Sequence, residues 1–150
     1  MKHHIPSPAI AMALSVALAG CGRLATVAET PSADYRGTIR SSCAPHDAPS
    51  TEVRLKSIEG PEWVWFNIWP EGQIELPLVV RFDADHPVGQ GAYCRGPDDC
   101  APAAWGEVEL IAGDPDTEVF LGEWRLGMPD GTVHHGTFQA EWLAIQALCG

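Results

Sequence analysis

The stretch EWVWFNIW, residues 62–69, decides how the chain must fold. Along an extended backbone successive side chains point to opposite sides, so Trp63, Trp65 and Trp69 fall on one side and Val64, Phe66 and Ile68 on the other. A strand that is apolar on both faces is either covered twice or holds one face open. The reading adopted is a central, covered strand with the tryptophans in the core. Trp105, Trp124 and Trp142 also fall on expected strands, so all six indoles would form one cluster. The alternative is an aromatic row left in water, where indoles stack on sugar rings or meet another protein.

Outward from this stretch, from Asp34 onward, short alternating segments are separated by turn residues every eight to twelve positions, and no amphipathic helical pattern lasts more than two turns. This pattern predicts an all-β domain. Seven strands are expected, at about 34–42, 52–59, 62–69, 73–82, 105–112, 118–127 and 132–143, packed antiparallel as a β-sandwich or a small β-barrel. Within 73–82, Ile74, Leu76, Leu78, Val80 and Phe82 are expected to face inward while Gln73, Glu75 and Arg81 face out. Pro77 cannot donate a ladder hydrogen bond, which places that strand at an edge or on a bulge. Met128-Pro129-Asp130-Gly131 has the chemistry of a hairpin turn between the last two strands. Residues 83–104 are expected to form a long connection.

The start of the chain is an export signal in pattern. Lys2 precedes a run of small and apolar residues, Ala9–Ala19, too short to cross the roughly 30 Å hydrocarbon layer as a helix. Leu18-Ala19-Gly20-Cys21 closes that run and resembles the lipobox of bacterial lipoproteins. The resemblance implies a signal peptide over 1–20, acylation of Cys21 as the first mature residue, a flexible tether over 21–33 and a single β-domain over 34–150. Several acyl chains, at about 0.8 kcal/mol per buried methylene, anchor a protein to a bilayer. Gly22, in place of an aspartate, resembles lipoproteins forwarded to the outer membrane, so the expected address is the cell envelope, lipid-anchored at the outer membrane.

Without residues 1–20 the chain carries eight basic against twenty acidic side chains, a net charge of −12. Such a balance opposes nucleic acid and anionic headgroups as partners. Apart from Cys21 there are four cysteines, an even number suited to two disulfides in an oxidising compartment. Cys94 and Cys100 flank the tight sequence Arg95-Gly96-Pro97-Asp98-Asp99, which pairs them and leaves Cys43 with Cys149. By loop entropy the small ring contributes about 2.4 kcal/mol and the long one about 4.8 kcal/mol. No Cys-x-x-Cys is present, and no metal or other cofactor is expected.

Other groupings bear on chemistry. Asp83, Asp85, Asp98 and Asp99 crowd the 83–104 connection with His86, but the sequence lacks a twelve-residue calcium loop ending in a bidentate glutamate. His134 and His135 are neighbours in a strand and point to opposite faces, which reads as surface histidine. There is no Gly-x-Ser-x-Gly, no His-Glu-x-x-His and no phosphate loop.

The lipobox, Arg40-Ser41-Ser42-Cys43-Ala44-Pro45, Cys100-Ala101-Pro102-Ala103-Ala104-Trp105-Gly106 and Gly136-Thr137-Phe138-Gln139-Ala140-Glu141-Trp142 together resemble small β-rich envelope lipoproteins. The expectation is a non-enzymatic, lipid-anchored protein whose β-domain binds a protein or saccharide partner or serves structurally. The expected contact residues are Trp63, Trp65, Trp69 and Tyr93. Two further resemblances give alternatives. Gly89-Gln90-Gly91-Ala92-Tyr93 is similar to the glycine-rich loop of membrane-bound lysozyme inhibitors, without its serines or the basic residue before the tyrosine, and would suit an acidic inhibitor of a basic lytic enzyme. Gly122-Glu123-Trp124 is similar to the Gly-x-Trp of lipocalins, though late in the chain, and would suit a small-molecule binder.

Overall fold

The computed structural model describes residues 32–69, 75–114 and 118–150, which lie within a compact unit, Pro31–Gly150. The expected signal peptide, Cys21, most of the expected tether and residues 70–74 lie outside the described residues. Among the described residues nine strands follow one another: β1 (Tyr35–Cys43), β2 (Pro49–Ser57), β3 (Trp63–Ile68), β4 (Leu78–Phe82), β5 (Gly89–Gly96), β6 (Asp99–Pro102), β7 (Trp105–Asp114), β8 (Val119–Gly127) and β9 (Val133–Leu143). They form one sheet in the order β4-β7-β8-β9-β1-β2-β3-β5-β6. The all-β class and both disulfides are as the sequence predicts, Cys43 with Cys149 and Cys94 with Cys100.

Three features of the strands differ from the expectation. The strand number is nine because the 83–104 connection contains the hairpin β5–β6, which extends the sheet beyond β3. The pairing is antiparallel except between β1 and β9, which run parallel and join the meander β1-β2-β3 to the meander β7-β8-β9. The strand expected from residue 73 begins only at Leu78, and Leu76, before Pro77, is 39% exposed instead of facing inward; as β4 it does lie at an edge of the sheet. At the β8–β9 hairpin, Gly131 has φ +87° and donates its N–H to the Met128 carbonyl, as a turn glycine should.

The sheet folds back over one core. Ile39, Val53, Leu55, Val64, Phe66, Val80, Phe82, Val108, Trp124, Leu126 and Phe138 fill it from seven strands. Burial of this kind stabilises by roughly 1.5–3 kcal/mol for each large apolar side chain. Phe82 on β4 reaches across to β5, where a Cβ on Gly89 would lie 2.8 Å from its ring. Likewise a Cβ on Gly91 would stand 3.1 Å from both Phe66 and Leu126. Glycine at 91 therefore lets β5 pass close to the core.

The opening question is answered by β3. Val64, Phe66 and Ile68 are wholly buried, while Trp63, Trp65 and Trp69 are only half-buried on the other side. The expected cluster of six indoles is not formed, since Trp124 alone is a core residue and Trp105 is 40% exposed. The physical reason lies in the indole N–H. Trp63, Trp65 and Trp69 each find an acceptor for it outside the core, whereas the Trp124 N–H, buried in the core, has no partner among the described residues, a cost that argues against burying all six.

Candidate functional site

Residues paired across neighbouring strands share a face, so the register defines the surface around the tryptophans. On β1, β2 and β3 three rows run side by side: Arg36, Lys56 and Trp63; Thr38, Arg54 and Trp65; Arg40, Glu52 and Asn67. This face is opposite to the core. Its charged side chains follow from a period-two pattern in β1 and β2, in which Ile39, Val53 and Leu55 point inward between them.

Hydrogen bonds fix both tryptophans of the rows. Trp63 donates its indole N–H to the Gly96 carbonyl at 3.2 Å, and Trp65 donates to Glu52 Oε2 at 3.1 Å. Glu52 is the electrostatic centre of the face. Its carboxylate accepts from Arg40 at 2.6 Å and from Arg54 at 2.9 Å, and it is buried beneath them. Burial works against its charge, but the hydrogen bonds from Trp65, Arg54 and Arg40 outweigh it and hold the carboxyl below its ordinary value. The tryptophan rings are therefore rigidly placed, with carbon surface left partly open.

On the far side of β3 the rows continue into the disulfide hairpin. Trp63 is paired with Cys94, which is paired with Cys100, and Trp65 is paired with Ala92, then Pro102. The cystine thus adjoins Trp63 across the strands and locks the edge hairpin. Trp69 is set apart from this group. It lies just past the end of β3, donates its indole N–H to the Pro87 carbonyl at 2.8 Å and meets His46 edge-on, with centroids 5.8 Å apart.

Tyr93 belongs to the opposite side. It pairs with Val64, packs against the core and stacks on His134 at 3.8 Å with the planes 5° apart. Together with Arg95, Met128 and Asp130 these rings line a cleft of about 230 Å³ between the β5–β6 hairpin and the β8–β9 turn. Burial raises the Tyr93 hydroxyl above its ordinary value, with Glu62 adding to the effect. The four expected contact residues therefore do not converge. Trp63 and Trp65 share one face, Trp69 holds a connection, and Tyr93 stands in a separate cleft.

Other expectations resolve locally. Asp83 accepts the backbone N–H groups of Asp85 and His86, both at 2.8 Å, which is turn chemistry and lowers its carboxyl. Among the described residues no group of three or more His, Cys, Asp and Glu side chains is placed to hold a metal ion. Gly89-Gln90-Gly91-Ala92-Tyr93 is part of strand β5 and not a loop. Trp124 packs between Tyr35 and Phe66, with centroids 5.1 and 6.0 Å away.

The sequence reading missed Arg36, Arg40, Arg54 and Lys56 as members of the tryptophan face, and His134 as a partner of Tyr93. The alternation of Arg36, Thr38 and Arg40, and of Glu52, Arg54 and Lys56, marks a charged sheet face. Only the register shows that this face is the one carrying the tryptophans. Comparison with protein-family models, with curated proteins and with solved structures finds no match for the chain.

Proposed function

We propose that this chain is a non-enzymatic lipoprotein of the cell envelope, anchored through Cys21, whose β-domain binds a partner through the outer face of β3. The observation that carries the reading is the pair Trp63 and Trp65, half-buried and pinned by their own N–H groups on a sheet held by two disulfides. A rigid, partly exposed aromatic surface loses little conformational freedom on binding, which favours recognition. The disulfides suit the oxidising compartment that the lipobox implies. We read the sheet as a barrel left incomplete between its edges β4 and β6.

The test has two parts. Radiolabelled palmitate should enter the wild-type chain in a bacterial host and not the Cys21→Ser variant; equal labelling of both would remove the anchor. Acrylamide quenching of the full chain, compared with single Trp63→Phe and Trp65→Phe variants, should assign part of the quenchable fluorescence to each residue. Complete protection of both would remove the contact face.

A further inference from the structure

We infer that the face formed by β1, β2 and β3 binds an acidic saccharide chain, with a sugar ring on Trp63 and the carboxylate or phosphate of the saccharide between Arg36 and Lys56. The inference rests on the contact face proposed above and names its ligand class.

Charge is distributed against the composition here. The whole sequence has nine basic side chains, and four of them, Arg36, Arg40, Arg54 and Lys56, stand on the same face of two adjacent strands. Arg40 and Arg54 are engaged by Glu52. Arg36 and Lys56 are directly opposed across the β1–β2 ladder, both are exposed, and neither enters an ion pair among the described residues. Like charges directly opposite destabilise a sheet, so folding alone gives no reason to place them together. An anion between them turns that repulsion into attraction.

The surroundings select the kind of anion. Beside the pair is an open groove of about 550 Å³ whose lining includes Thr38, Ser57 and Ile58, hydroxyl and aliphatic groups of the sort that meet a sugar. Lys56 is one strand from Trp63 and Arg36 is two, which at about 4.8 Å per strand puts the charges within reach of an acid group on a ring that covers the indole. Glu59 lines the end of the groove and Glu141 on β9 is paired with Thr38, so carboxylates bound the cationic strip on two sides. A densely charged nucleic acid would meet these carboxylates and a strongly acidic molecule behind them. A saccharide with one charge per ring or fewer fits the narrow strip. The same boundaries disfavour an anionic membrane, because Ile58 is the sole large apolar side chain of the groove that protrudes.

The experiment is affinity electrophoresis of the full-length chain in non-ionic detergent through gels holding polygalacturonate, a phosphomannan or neutral dextran. Flotation with phosphatidylglycerol vesicles is run in parallel against neutral phosphatidylcholine vesicles, which the acyl anchor would enter equally. Wild type should be retarded by at least one acidic polymer and not by dextran, and the retardation should weaken with salt. The Arg36→Gln/Lys56→Gln variant should bind that polymer at least tenfold more weakly with an unchanged near-ultraviolet circular dichroism spectrum. Trp63→Leu should also weaken it.

Absence of retardation by both acidic polymers, or equal retardation of wild type and the double variant, overturns the inference, as does a preference for phosphatidylglycerol over phosphatidylcholine vesicles without retardation by either acidic polymer. Retardation by dextran that depends on Trp63 but not on Arg36 and Lys56 would overturn the acidic specificity and leave the contact face standing. Loss of the contact face itself is read separately, from the quenching experiment.

Discussion

Tyr93 on β5 and His134 on β9 lie face to face, ring centroids 3.8 Å apart and planes within 5°, although three strands, β1, β2 and β3, stand between β5 and β9 in the sheet. The stack is therefore a contact across the folded sheet and not a neighbour effect within a ladder. It brings the disulfide hairpin against the β8–β9 turn, where Arg95 and Asp130 also line the cleft.

Removing one ring of this stack should loosen the hairpin. His134→Ala is expected to destabilise the domain by about 1 kcal/mol in urea unfolding, of the size measured for aromatic pairs. A double-mutant cycle with Tyr93→Leu isolates the pair, with a coupling of about 0.5–1.5 kcal/mol expected. A coupling near zero would mean that the two rings only happen to be parallel.

The two disulfides should differ in what they hold. Cys43–Cys149 closes a sequence separation of 106 residues and Cys94–Cys100 one of 6. Replacing the first pair by serine is expected to cost about 4.8 kcal/mol and the second about 2.4 kcal/mol, because the longer ring restricts the unfolded chain more. Denaturant midpoints of the two double variants, compared at equal m-values, check the order. The smaller ring also carries the edge strand β6, so its loss should increase hydrogen exchange in β5–β6 before the rest of the sheet.

Much of this architecture is legible in the residues. Bulky alternation places β1 and β3, and β7 to β9 with the turn at Gly131, and cysteine arithmetic with a tight intervening sequence pairs the disulfides. The β5–β6 hairpin escapes that reading because its strand signal is absent: Gly89 and Gly91 occupy inward positions that bulky residues hold elsewhere, since the side chains of Phe82, Phe66 and Leu126 already fill the space. The tryptophans mislead for a related reason. Hydrophobicity treats both faces of residues 63–68 alike, whereas the acceptors for Trp63 and Trp65 are Gly96 on β5 and Glu52 on β2, partners that only long-range register supplies.

Acid should act first through Glu52 among the buried groups. Its carboxyl titrates below the unfolded value near 4.5, so the folded state binds fewer protons than the unfolded chain in that window. Stability is then fully present above about pH 4.5 and is lost as pH falls through the folded value. Glu52→Gln is expected to cost on the order of 1–3 kcal/mol at pH 7 through weakened charged hydrogen bonds. It should also flatten the loss of stability between pH 5 and pH 3. Asp34, Asp83 and Asp130 are lowered as well, by hydrogen bonds from Thr137, from His86 and Asp85, and from Thr132, so a residual slope should remain. An unchanged slope in the variant would show that Glu52 is not the linked group.

Alkali should act through Tyr35, whose hydroxyl is pushed up to about 12, first by burial and then by the negative potential of Tyr93, Glu62 and Asp34. The unfolded side chain titrates at 10.0. Between those values the unfolded chain has released a proton that the folded protein still holds, so stability is fully present below pH 10 and declines as pH rises toward 12. The chain has two tyrosines, which makes the assignment direct. Absorbance at 295 nm should show both phenols titrating above 10, and Tyr35→Phe should leave only the Tyr93 step. Urea midpoints at pH 9 and pH 11 should fall further for wild type than for Tyr35→Phe. A tyrosine titration centred at 10 in the folded wild type would mean that Tyr35 is open to water and that its edge-on contact with Trp124, 5.1 Å between centroids, does not persist in solution.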